Sequence, residues 1–409
     1  MSILIKSRSA EALTRKPAEN TAKVDVNEKK EAKWTELHHA YYIGNEEEAK
    51  DLINKGADLD ARGMEGYTPR LLGITNGTII SKRDELSAYE ISFLSHKVLA
   101  NWLNLEGRVS IDGTKVRLER FYSNFMFLEI ADSLKAFRED SLFSKFRLGN
   151  KAEKLEQALR EAYDAKRSDK EIVRKIKNGE LVFIASGWKM HTITLCFMNG
   201  YLAICNRGGG KYDPTITAFK IDPANMTEDL LFVMTKFVKD KEAFQAYSYI
   251  YEYLPEKFLA STDNLCKLFK TIAPSPQKSE NCALASVKAA VRFAWAMLLK
   301  DEPDQQTLAH AREETKFLGS IKTAARLVCA KLHKNKSDKQ TLAYAREETK
   351  LFTDFSAMRV FQEFIRTHIL QCHVLSRSAK LSFEAKKSRF EKTYSKHEEN
   401  LQGNLVSLP

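Results

Sequence analysis

The chain has 409 residues, with 65 Lys and Arg against 54 Asp and Glu, a formal net charge of +11, 43% hydrophobic residues and 29% charged ones. These proportions exclude a disordered polar chain and leave room for two or three domains, each with its own core. The positive excess is spread along the sequence, which suits acidic partners or an anionic surface as well as an ordinary solvated one. No zinc-knuckle, zinc-finger or RNA-binding signature accompanies it, so nucleic acid is not an expected partner.

Six cysteines stand at 196, 205, 266, 282, 329 and 372 without a CxxC pair. That spacing argues against a disulfide framework and a structural zinc site, and for a reducing compartment. No metal or cofactor is expected. The most apolar run, Ala283 to Leu299, is interrupted by Lys288 and Arg292 and does not read as a membrane span. Met1 to Ile5 is too short for the apolar core of a signal peptide and is followed by KSRS. Both features point to work in a cytosol.

Residues 1–30 are polar, lack a repeating apolar face and read as a flexible tail, suited to a sorting or secretion signal or to a frayed terminus. The next segment, 31–103, opens on Trp34-Thr-Glu-Leu-His38-His-Ala40-Tyr-Tyr-Ile-Gly44-Asn45. It continues through Ala49-Lys-Asp-Leu-Ile53-Asn-Lys-Gly56-Ala57-Asp58 and restarts at Gly66-Tyr-Thr-Pro69. The period from Thr35 to Thr68 is 33 residues. The segment resembles an ankyrin repeat in motif and period. Thr35 and Thr68 suit helix starts, Ala40 close helix packing, and Gly44 and Gly56 backbone turns. The second copy departs from the pattern at Arg70 to Gly73. Two repeats cannot bury a core alone, and the helical run Leu86 to Leu103 is the expected partner. Tandem His38 and His39 belong to this motif rather than to a metal site, and His333, His368 and His373 lack matching carboxylates.

Segment 104–300 is mixed. Arg108 to Arg117 alternates around Asp112-Gly113 as a hairpin, and 121–137 and 151–176 read as helices. Strand patterning follows between 180 and 221, then helices over 227–237 and from about 240 to 271. From 301 to 398 a helix-rich extension contains a duplication: Gln306 to Lys316 recurs as Gln340 to Lys350, differing only at His310 and Tyr344. Its 34-residue period equals that of tetratricopeptide repeats, whose aromatic and glycine marks are missing. A short tail, 399–409, closes the chain.

The chemistry concentrates in two places. Met198-Asn199-Gly200-Tyr201 is a two-residue hairpin signal, and its register sets Ile193 opposite Asn206 and His191 opposite Gly208. His191 and Asn206 then share a face on a diagonal, an imidazole beside an amide oxygen able to orient it. Gly208, Gly209 and Gly210 permit close approach of a substrate, with Trp188 on the other side of the expected groove. Further on, Pro274 to Asn281 is a loop leading into a helix whose first turn holds Cys282. Unpaired amides at a helix start favour a thiolate and predict a lowered thiol pKa. Gln277, five residues upstream, can donate to an oxyanion beside the Cys282 amide.

The order His191, Asn206, Gln277, Cys282 resembles the Ulp/adenain type of cysteine peptidase; papain-type enzymes run Cys, His, Asn. The resemblance covers roughly 180–300. It implies Cys282 as nucleophile, His191 as base, Asn206 as orienter with Asp213 as the backup, and Gln277 as oxyanion donor. It departs from the family at Thr192, where a Trp commonly follows the His, and at Ala283, where a Gly is common. Together these readings imply an α+β fold: a short ankyrin-repeat segment, a papain/Ulp-like cysteine-peptidase core with an antiparallel sheet, and a helical C-terminal extension. The implied function is hydrolysis of peptide or isopeptide bonds, with ubiquitin-like conjugates among the substrates of such enzymes. A thiol acyltransferase would use the same nucleophile. The rival is a non-enzymatic adaptor that binds a protein through its ankyrin and helical surfaces. Ankyrin repeats joined to such a site resemble effectors that Legionella-type bacteria inject, which implies a protein partner or substrate of the host and a place in the host cytosol.

Overall fold

A computed structural model describes residues 34–79, 85–118, 121–139, 149–207, 215–269 and 282–300, apart from a few single positions within them, together with 27–28, 352–360 and 384–391. The tails, most of the expected extension and its duplication lie outside these residues. The fold mixes helices with antiparallel sheet.

The chain enters through α1 (Glu36–Ile43), α2 (Glu46–Asn54) and α3 (Pro69–Asn76). Thr35 caps α1 by accepting from the His38 amide, and Thr68 caps α3 by accepting from the Leu71 amide. These are the two threonines spaced 33 apart. Fully buried His38 ties the two copies together: its Nδ1 accepts from the Thr35 amide at 3.1 Å, and its Nε2 meets the Tyr67 carbonyl at 3.0 Å. An apolar nucleus of Leu37, Ala40, Ala49, Leu52 and Ala57 is too small to stand alone. Accordingly α3 docks on the helices that come after it. Leu71, Leu72 and Ile74 share one cluster with Phe93, Leu99 and Trp102 of α4 (Ala88–Leu103) and with Phe125 and Phe127 of α5 (Ser123–Glu139). The support thus extends beyond the single helix expected. Tyr163 adds to it, donating from its hydroxyl toward the Ile74 and Ile79 carbonyls at 3.0 and 3.1 Å.

The hairpin β1 (Arg108–Ile111) and β2 (Thr114–Arg117) turns at Asp112 and Gly113, both at positive φ. The expected helix over 151–176 is instead two, α6 (Gly149–Tyr163) and α7 (Asp169–Lys177). Between them the Asp164 carboxylate accepts from the Lys166 amide at 2.9 Å, a local bond that competes with the helix, and Ser168 opens α7.

The strands β3 (Val182–Trp188), β4 (His191–Met198), β5 (Tyr201–Cys205) and β6 (Ile216–Lys220) form an antiparallel meander in that order. Both faces are buried, which is why the strands read as apolar runs. On one face Ile184, Ile193, Leu195, Phe197, Leu202 and Ile204 pack under α8 (Glu228–Thr235) and the stretch from α9 (Ala243–Ser248) to α10 (Leu254–Lys257). On the other, Phe183, Cys196, Ala203 and Cys205 face α11 (Cys282–Lys300). The continuous helix expected over 240–271 is not formed. Pro255 has no amide proton for the Tyr251 carbonyl, the coil widens into one π turn over Tyr249–Tyr253, and the helix stops near Leu259 at φ 50°. Ser261 then pairs back onto Lys220.

α11 is buried nearly all round, wedged between the sheet and α5 and α6. Its alanines at 283, 289, 290 and 294 let it approach β4 closely, while the Lys288 ammonium lies 4.2 Å from the centre of the Trp102 ring. Among the described residues no helix is long and apolar enough to cross a membrane.

Thr68 has two tasks: it caps α3, and its hydroxyl donates to buried Glu90 at 2.8 Å. Thr68→Ala is expected to cost about 2 kcal/mol in chemical denaturation, against roughly 1 kcal/mol for Thr227→Ala, which removes only the α8 cap.

Candidate active site

Asn199 and Gly200 both sit at positive φ, 49° and 74°, so the turn joining β4 to β5 is the two-residue type that matches strand twist. Met198 pairs with Tyr201 and Thr194 with Cys205, the register that the Asn-Gly turn implies. His191 and Asn206 consequently reach each other, His191 Nε2 to Asn206 Oδ1 at 2.8 Å. The amide oxygen only accepts, so Nε2 carries the proton and Nδ1 presents a lone pair, the form required of a general base. Trp188 covers the imidazole, with ring centres 4.5 Å apart and planes tilted by 38°. The His191 pKa lies below the ordinary 6.5: burial opposes the imidazolium, and the bond to Asn206 only partly offsets it.

A glycine absent from the sequence-based site makes this corner possible. Gly187 lies opposite Thr192 with φ 138°, and a Cβ there would stand 2.1 Å from the His191 carbonyl oxygen. The tight β3–β4 connection at Trp188 and His191 therefore requires Gly187.

The setting of Cys282 depends on where β5 stops. The closing pair Met198–Tyr201 is a hydrogen-bonded rung, and such rungs recur every second residue, at Cys196–Ala203 and Thr194–Cys205. The next would join Thr192 to residue 207, but β5 ends at Cys205, and the Asn206 amide donates to the Thr215 carbonyl at 3.1 Å. The Thr192 amide, without that rung, is one of the groups that hold the Cys282 thiol pKa down, together with the Thr192 hydroxyl and the amides of Cys282 and Ala283.

The thiol itself departs from expectation. A helix start was expected to lower its pKa, yet burial pushes it up, and these groups offset only part of that rise. At neutral pH the thiol and the imidazole are therefore both uncharged. Of the remaining residues singled out in the sequence, Gln277, Gly208, Gly209, Gly210 and Asp213 lie outside the described residues. Cys196, Cys205 and Cys266 are buried free thiols. Among the described residues no group of three His, Cys, Asp or Glu side chains is arranged to hold a metal ion. Thr192 and Gly187 were missed in the sequence. An interrupted rung needs the end of β5, which no local pattern marks, whereas a glycine inside a strand run was a usable signal.

Because the folded state favours neutral His191, its contribution to stability is present above the unfolded histidine pKa and is lost as pH falls through the lower folded value. In proton NMR the His191 ring is expected to titrate below the ordinary 6.5. Asn206→Ala, which removes the one favourable contact, is expected to move it lower still.

No family model matches the chain, and no curated protein matches it. Among solved structures it is similar to the Legionella effector AnkH, with a TM-score of 0.52 and 16% sequence identity over 87% of this chain and 80% of that one. At that identity, what the two share is the fold.

Proposed function

We propose that this protein is a cysteine-peptidase-type hydrolase that cleaves peptide or isopeptide bonds and acts as a bacterial effector in a host cytosol. The observation that carries the reading is the oriented His191–Asn206 pair at the start of β4, whose next residue, Thr192, weighs on the Cys282 thiol. In the reaction His191 Nδ1 takes the thiol proton while the sulfur attacks the scissile carbonyl carbon. The new oxyanion is met by the Cys282 amide, and by Gln277 in the role that the Ulp/adenain resemblance implies. The tetrahedral adduct collapses to a thioester as His191 returns the proton to the leaving amine. Water, deprotonated by His191, then hydrolyses the thioester and restores the thiol.

The effector setting is supported by the shared fold with AnkH. The paired, threonine-capped helices of the N-terminal segment, joined through His38, support reading it as ankyrin-type and as the surface that engages a host protein.

One observation favours a second reading, a non-catalytic adaptor: burial disfavours both charged forms, the thiolate and the imidazolium. Turnover of a ubiquitin-tail or peptide-amide substrate separates the two. Hydrolysis should vanish in Cys282→Ala and fall by about 10²–10⁴-fold in His191→Ala. A cellular effect that survives Cys282→Ala unchanged would establish the adaptor instead.

A further inference from the structure

Beneath Cys282 runs a second polar contact between the same two elements. The Thr194 hydroxyl donates to the Ser286 hydroxyl at 3.1 Å, and Ser286 in turn donates to the Ala283 carbonyl at 3.0 Å. Thr194 and Ser286 are both fully buried, and the hydrophobic cluster around them includes Cys196, Cys205, Ala283 and Val287. An apolar pair would fill such a place without desolvating two hydroxyls, so burial alone gives no reason for them.

The spacing supplies one. Ser286 follows Cys282 by four residues, one helical turn, and Thr194 follows Thr192 by two, one repeat of the strand face. Four helical residues rise about 6 Å and two strand residues about 6.6 Å, so the two contacts run in step. If α11 slid by one residue along β4, the hydroxyl pair would break and both groups would be left unsatisfied. An apolar contact would tolerate that slide. The relay also ends on the carbonyl of Ala283, the residue that follows Cys282.

We infer that Thr194 and Ser286 are positioning residues, a buried hydroxyl pair that registers α11 on β4 and so fixes where Cys282, one turn earlier on α11, sits against the strand. Neither touches the sulfur. They act by fixing where it sits, and through that how readily the thiolate forms. The inference rests on Cys282 as the reactive thiol of the proposed hydrolase, but its test needs no substrate.

The experiment follows alkylation of Cys282 by iodoacetamide in the full chain as a function of pH, read peptide by peptide in a mass spectrometer. Thermal unfolding is recorded beside it. Thr194→Val keeps the side-chain shape and removes the donor; Ser286→Ala removes the acceptor at a helix position where alanine is well tolerated. Both are expected to shift the alkylation midpoint up by about half a pH unit or more, roughly three-fold slower at neutral pH, because a displaced thiol loses the groups that hold its pKa down while keeping its burial. Thr194→Ser retains the hydroxyl and is expected to keep the wild-type profile. A folded Thr194→Val or Ser286→Ala with the wild-type midpoint overturns the inference, as does a Thr194→Ser profile shifted as far as that of valine. If Thr194→Val does not fold, Ser286→Ala against Thr194→Ser decides alone. Absence of hydrolysis in the wild-type protein would end the proposed function while leaving these thiol profiles readable.

Discussion

The site depends on one strand stopping early. β5 gives up its place beside β4 after Cys205, and the Thr192 amide, which an antiparallel ladder would have used, is among the groups that hold the Cys282 thiol pKa down. The consequence is geometric. Successive residues of a strand face opposite sides, so His191 projects with Ile193 toward one core, while Thr192 projects with Thr194 toward α11. A thiol carried by α11 and lying over the sheet would be separated from His191 by the sheet itself. Cys282 opens α11 and is influenced by Thr192, at the start of β4 where β5 has already stopped.

The electrostatics follow from the same enclosure. Nearby amides and the Thr192 hydroxyl pull the Cys282 thiol pKa down, and it is nevertheless raised. Burial removes the solvation that water gives a thiolate, and polarised amides replace only part of it. His191, covered by Trp188, is held neutral for the same reason. A site of this kind does not rest as an ion pair. A charge formed there would be held by groups already in place, the condition under which fixed dipoles lower a barrier without reorganising.

What the sequence disclosed and what it withheld divide along a physical line. Asn199-Gly200 determined a turn, the turn determined the register, and the register brought His191 to Asn206, because each step is local or follows from strand alternation. The helix start at Cys282 was legible for the same reason, from two prolines and a run of capping residues. Thr192 was noticed as a departure from a resembling family and its influence on the Cys282 thiol was not foreseen, since that influence joins residues 90 apart and depends on where a third strand ends. The sign of the thiol shift was missed on similar grounds. Donors at a helix start can be counted in a sequence, whereas the depth at which a helix lies is set by everything packed around it. The breaks at 164–168 and at Pro255 were written in the sequence as Asp164, Ser168 and the proline, and a strong apolar periodicity on either side outweighed them.

The two ends of the described fold are mechanically one piece. A single hydrophobic cluster runs from Tyr67 and Leu71 through Phe93, Trp102 and Phe127 to Val287 and Phe293 of α11, crossing residues 103 and 104, where the sequence had suggested a domain boundary. Lys288, six residues beyond Cys282 on α11, lies over Trp102 of α4. Interiors packed to crystal-like density transmit displacement rather than absorbing it. The paired N-terminal helices are therefore braced through α4 against the helix that carries Cys282, and a displacement at one is felt in the core of the other.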